Sequence, residues 1–158
     1  MNVNKLEKAY FYNSLHRNVV ADISLLIEKL FKEKSSILVR CNDQESVDVI
    51  DAFLWAYKED EFIPHSIVTK EKKASIYPIL ITTDINEDYD HDVLLALSGV
   101  LIKEKEWRNF SKAYYFFDDQ ENKEKENARE MWKSFSALNI ACKYWVNKAN
   151  KWVLAHSS

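Results

Sequence analysis

Near the C-terminus Lys125, Arg129 and Trp132 recur at intervals of four and three residues, so on a helix they fall within one narrow arc, continued by Ser136. Beside it runs an apolar face of Ala128, Met131, Phe135 and Leu138. A guanidinium presents a planar fork of donors that fits a carboxylate, and an indole next to it offers a platform for an apolar side chain. This edge has the chemistry to receive an acidic peptide ending in a hydrophobic residue. The same residues also fit a plainer account, with the cations solvated and paired to i,i+4 acids such as Glu121 and Trp132 at the core periphery.

Three other groupings invite chemistry. In the segment 44–57, Val47, Ile50, Leu54 and Tyr57 share one side, widened by Val49 and Phe53, whereas Trp55 lies among Asp48 and Asp51. Such an indole is either covered by a loop, for instance the one bearing Phe62, or is an exposed partner-binding patch. Asp84, Asn86, Asp88 and Asp90 have the alternation of a calcium loop, but Tyr89 and Leu95 stand where that loop needs glycine and a bidentate glutamate, so the segment reads as a solvated acidic loop. Cys41 follows a strand and precedes a helix, a place that lowers a thiol pKa, which leaves a small α/β enzyme using Cys41 as an alternative function.

The elements that must position these residues alternate between short apolar runs and helical spacing, which predicts a three-layer α/β/α domain with a largely parallel central sheet and a hairpin-like C-terminal ending. Strands are expected at Lys8 to Tyr12, Ser36 to Arg40, Tyr77 to Thr82, Asp92 to Leu97 and Lys112 to Phe117, with Ile140 to Val146 and Trp152 to Ala155 forming the hairpin. Asn18 is placed to cap a helix whose apolar residues Val19, Ile23, Leu26, Ile27, Leu30 and Phe31 fall on one face, and Asn42 with Glu45 makes a capping box for the next helix, to about Tyr57. Pro64 ends that unit, residues 69–75 read as a solvated loop, a charged helix covers roughly Gln120 to Leu138, and Asn147 or Asn150 is expected to supply a positive φ in the hairpin turn. Without repeat or linker, residues 1–158 read as one domain.

Composition narrows the function classes. The 158 residues are 47% hydrophobic and 30% charged, a globular balance, and contain one glycine, Gly99. Phosphate-cradling loops and dinucleotide fingerprints need several glycines, so nucleotide-dependent enzymes are disfavoured and no cofactor or metal is expected. Two isolated cysteines, no signal-like start and no apolar run long enough for a bilayer point to the cytoplasm and away from a membrane. The net charge of −3 gives no general attraction to nucleic acid, yet no acid follows Glu130 while Lys133, Lys143, Lys148 and Lys151 do; direct single-strand binding by these lysines and the late tryptophans is a further alternative.

Across nearly its whole length the chain resembles the chi subunit of bacterial DNA polymerase III, an accessory of the clamp loader. The resemblance is carried by Ala9-Tyr10-Phe11-Tyr12, Asp51-Ala52-Phe53-Leu54-Trp55, Phe62-Ile63-Pro64-His65, Tyr77-Pro78-Ile79-Leu80-Ile81-Thr82-Thr83, Ala128-Arg129-Glu130-Met131-Trp132-Lys133, Tyr144-Trp145 and Trp152. It implies an adaptor without catalysis that binds the acidic C-terminal tail of single-stranded DNA-binding protein, so that DNA is reached only indirectly. For that tail it implies Lys125, Arg129, Trp132 and the apolar wall residue Phe117; for the clamp loader's psi subunit, or an unidentified replacement, it implies Trp55 and Phe62. Trp132 stands where the family often has tyrosine, which loses a hydroxyl but enlarges the platform, and the final turn lacks the glycine often found there.

Overall fold

The computed structural model describes residues 6–14, 20–56, 63–67, 78–83, 91–97, 102–149 and 151–157. The expected α/β class is what it shows. Strands β1 (Lys8–Asn13), β2 (Ile37–Arg40), β3 (Ser66–Ile67), β4 (Ile79–Thr82), β5 (Val93–Ala96), β6 (Lys112–Phe117), β7 (Ala141–Lys148) and β8 (Lys151–Ser157) form one sheet in the order β3-β4-β2-β5-β6-β1-β7-β8. Every pairing is parallel except β7–β8. The helices among the described residues are α1 (Val20–Lys32), α2 (Gln44–Ala56), α3 (Glu104–Trp107) and α4 (Asn122–Ala137). The two-residue β3 and the four-residue α3 are too short to show a period and went unread in the sequence.

The chain first moves across the sheet toward β3 through α1 and α2, then back toward β7 through α3 and α4. Right-handed crossovers running in opposite directions place their helices on opposite faces, which produces the three layers. The apolar core is divided accordingly. Ile23, Ile27, Val47, Ile50 and Leu54 of α1 and α2 pack on one face, whereas Trp107 of α3 and Ala128, Met131 and Phe135 of α4 pack on the other. The buried runs Ile37–Val39 of β2 and the whole of β4 and β5 are the pattern of parallel strands covered on both sides. Phe135, with no exposed surface, stacks edge-on against Trp107 at 4.8 Å and Phe11 at 5.9 Å and so ties α3 and α4 to β1.

Helix ends show how a chain with one glycine turns. Lys34 (φ 65°) and Asn139 (φ 58°) occupy the left-handed position after α1 and α4. Each end closes with the paired bonds of a Schellman motif: Ser35 N–H to Leu30 O with Lys34 N–H to Phe31 O, and Ile140 N–H to Phe135 O with Asn139 N–H to Ser136 O. Because α4 stops at Ala137, Leu138 does not join the core face as expected but is 45% exposed, and Ile140 takes the buried place. Val49 is likewise exposed on α2. The cap of α2 is Asp43, not Asn42. Its carboxylate accepts from Ser46 N–H at 2.8 Å, and that bond holds the Asp43 pKa below the usual carboxylate value. Asn18, Tyr57, Tyr77, Asn150 and the stretch 69–75 lie outside the described residues.

In the hairpin Lys148 pairs with Lys151, leaving a two-residue connection, and Ala149 (φ 51°), not Asn147, takes the positive φ. Asn147 is a strand residue opposite Trp152. The αL region costs an L-residue with a Cβ roughly 1–2 kcal/mol. Ala149→Gly is therefore expected to stabilise the protein by about 1 kcal/mol after the added unfolded-state entropy is offset, read as a higher midpoint in thermal and urea unfolding.

Candidate functional site: a cationic aromatic pocket between α4 and the sheet

Phe11, Phe117 and Tyr144, on β1, β6 and β7, are among the strand residues on the α4 face. Parallel pairing sets Phe11 opposite Tyr115 and Tyr144, and Asn13 opposite Phe117. At the C-terminal ends of β1 and β6 the chain departs to opposite faces, the crevice where open α/β sheets place their ligands. There the first half of α4 and the strand ends enclose a pocket of about 360 Å³. Its lining includes all four residues expected for the tail site, Lys125, Arg129, Trp132 and Phe117, and adds Phe11, Ala128, Tyr144 and one acid, Asp119.

The apolar floor is an aromatic lattice. Phe11 lies 5.2 Å from Trp132, and Phe117 lies 6.0 Å from Tyr144. Buried Asn13 fixes this end of the pocket. Its Nδ2 donates to Tyr144 Oη at 2.9 Å while its Oδ1 accepts from Asp119 N–H at 3.2 Å, so one amide joins β1, β7 and the turn before α4. Burial, with Asp119 nearby, raises the Tyr144 pKa despite the Asn13 bond, so the phenol stays neutral and keeps its own O–H as a donor. The rim is charged. Arg129 is exposed and Lys125 half-buried, and among the described residues neither makes an ion pair. Glu121 meets Lys125 only through the backbone, as acceptor for Lys125 N–H. Among the described residues the i,i+4 ion pair between Glu121 and Lys125 expected in the plainer account is not formed.

On β8 a register shift between Tyr144 and Trp145 leaves Ala155 as an extra residue, and beyond this bulge His156 sits opposite Tyr144 with its ring 5.6 Å from Trp132. Phe11, Tyr144, Asn13, Asp119 and His156 were not singled out from the sequence for this site. Strand alternation marks Phe11 and Tyr144 as inward residues, but only the long-range register brings them together.

Trp55 lies across the molecule, on α2. It is 60% exposed, and its ring rests 4.9 Å from that of His65, whose Nδ1 contacts Ile63 O at 2.7 Å and whose Nε2 lies 3.1 Å from Asp51 Oδ1. Trp55 is thus a surface residue seated on a buried histidine. Phe62 falls outside the described residues, as do the acidic loop 84–90 and Gly99.

Cys41 does not have the lowered thiol pKa expected from its place between a strand and a helix. Cys41 has no exposed surface, and burial, only partly countered by Arg40 and reinforced by Asp43, pushes its pKa up to about 12 rather than down. Both cysteines are free and buried, and among the described residues no three His, Cys, Asp or Glu side chains gather to hold a metal. Folded protein at pH 8 should react with a thiol-specific reagent only as fast as it unfolds. Labelling of Cys41 at the rate of an exposed thiol would contradict this burial.

The family model described as DNA polymerase III chi subunit, HolC, matches residues 6–143, which takes in β1, the pocket-forming part of α4 and the start of β7. None of the curated proteins compared matches the chain. No described helix is long and apolar enough to cross a membrane. On a match that covers most of its length, the chain belongs to the DNA polymerase III chi subunit family.

Proposed function

We propose that this chi-family protein is a noncatalytic replication adaptor that takes the acidic C-terminal tail of single-stranded DNA-binding protein into the α4 pocket. Family membership supports an accessory role in DNA replication and association with the polymerase III clamp loader. The observation that carries the finer reading is the pairing of two cations, unpartnered among the described residues, with an aromatic floor in one pocket. In this reading Arg129 takes the terminal carboxylate or a neighbouring acid in a forked, charge-assisted bond, and Lys125 attracts the preceding acids as a point charge. The terminal hydrophobic side chain enters between Trp132, Phe11 and Phe117, and the Tyr144 hydroxyl supplies one more donor.

The exposed Trp55 supports a separate surface for psi or a replacement, on the α2 layer away from α4. One copy can then hold the tail with one layer and the clamp loader with the other. Noncatalytic action is consistent with a protonated Cys41.

A charge-assisted hydrogen bond contributes about 1.5–3 kcal/mol. Arg129→Ala should therefore weaken calorimetric binding of a tail peptide by roughly ten- to a hundredfold. Arg129 is exposed and supports no described core contact, so the melting temperature should stay within a degree or two. Lys125→Ala should weaken binding less, with a loss that fades as salt is raised, because a flexible ammonium is screened. Unchanged affinity in folded Arg129→Ala protein would remove the pocket from the proposal.

A further inference from the structure

The sheet face opposite α4 carries a second arrangement that the pocket does not use. Strand register builds it in rungs: Lys8 beside Lys112, then Tyr114, Tyr10 and Lys143, then Phe116, Tyr12 and Trp145, with Trp152 of β8 adjoining. The rings lie nearly parallel. Tyr10 and Tyr114 are 4.7 Å apart at 13°, Tyr12 and Phe116 4.9 Å at 13°, and Tyr12 and Trp145 6.4 Å at 12°, while Trp152 stands edge-on to Tyr12 at 5.1 Å.

On this face α1 packs against β2, and α2 against β3 and β4. Tyr114 and Phe116 of β6 are buried in the core of this face, whereas Tyr10, Tyr12, Trp145 and Trp152 are half-buried and Lys8 and Lys143 are exposed. Among the described residues no acid pairs with Lys8, Lys112 or Lys143. Like charges on adjoining strand positions repel, and the cost is relieved when an anion lies across them. The inner rings stack on one another, and the half-exposed Tyr10, Trp145 and Trp152 at the margin of the ladder, beside the lysines, match a chain whose phosphates are anionic and whose bases pack on aromatic rings. Base–aromatic stacking contributes energy at every nucleotide without regard to sequence.

We infer that the partly exposed face of β1, β7 and β8 binds single-stranded DNA. DNA, rather than another anionic chain, is the polymer at which a DNA polymerase III subunit family works. The inference rests on that membership and this face alone, not on the tail pocket. It adds a direct contact with the strand to the indirect one expected from the sequence. Attraction is local, since the whole chain carries a net charge of −3.

The test is fluorescence anisotropy of a labelled oligothymidylate with the full chain at several salt concentrations. Wild-type protein should bind at low salt with quenching of tryptophan fluorescence. The double variant Lys8→Glu, Lys143→Glu should bind at least about tenfold more weakly, with the slope of log affinity against log salt reduced by roughly 0.7 for each lysine. Arg129→Ala should bind the oligonucleotide as wild type does. No binding by wild type at low salt, or equal affinity in the double variant, overturns the proposal, and tighter binding of an oligouridylate overturns the choice of DNA. Photo-cross-linking of a bromodeoxyuridine oligonucleotide reads the same claim without a variant. Adducts on Tyr10, Tyr12, Trp145 or Trp152 support it, and adducts confined to α2 or α4 contradict it.

Discussion

Strand β1 is held between β6 and β7 by parallel ladders on both edges. The N-terminal strand is thereby locked between two strands made a hundred or more residues later, and both functional faces depend on that insertion. Toward α4 it delivers Phe11 to the pocket floor and Asn13 to the junction of β7 with the turn before α4. Toward the other face it delivers Tyr10 and Tyr12 to the ring ladder. A one-residue slip would exchange the two sets, so the core itself fixes the register: Ala9 and Phe11 are almost fully buried, whereas Tyr10 and Tyr12 are half-exposed.

The same insertion explains why the pocket is shaped before a ligand arrives. Phe117, Phe11 and Tyr144 stand on three neighbouring strands, and Trp132 is positioned by the helix whose Met131 and Phe135 are anchored in the core. The apolar part is therefore rigid, while Arg129 and Lys125 retain freedom at the rim. Such a division suits a short, flexible acidic peptide, because a preformed socket limits the ordering cost to the peptide and two side chains.

What the sequence reveals follows the range of the interactions involved. The arc of Lys125, Arg129 and Trp132 is legible because a helix repeats within four residues, and the runs of β2, β4 and β5 because strands buried on both faces need apolar residues throughout. Tyr144, Asn13 and His156 join the site only through parallel pairing and a bulge, which no local pattern encodes. Cys41 shows the converse error. Its place between a strand and a helix is visible locally, but the burial that reverses its pKa is a property of the packed layers. The cap on α2 shifts by one residue, from Asn42 to Asp43, because both are good caps and only the start of the helix decides between them. Ala149 in the hairpin turn has no local signal, since neighbouring asparagines are the better αL residues.

The central claim is that an acidic peptide with a hydrophobic end occupies the crevice between α4 and β1, β6 and β7. Amide and indole chemical-shift mapping of isotope-labelled protein during titration with the tail peptide tests it most directly. Perturbations should concentrate on Lys125, Arg129, the Trp132 indole, Phe11 and Tyr144, with Trp55 and α2 unaffected. Perturbations centred on α2 and Trp55, or none at saturating peptide, would contradict it.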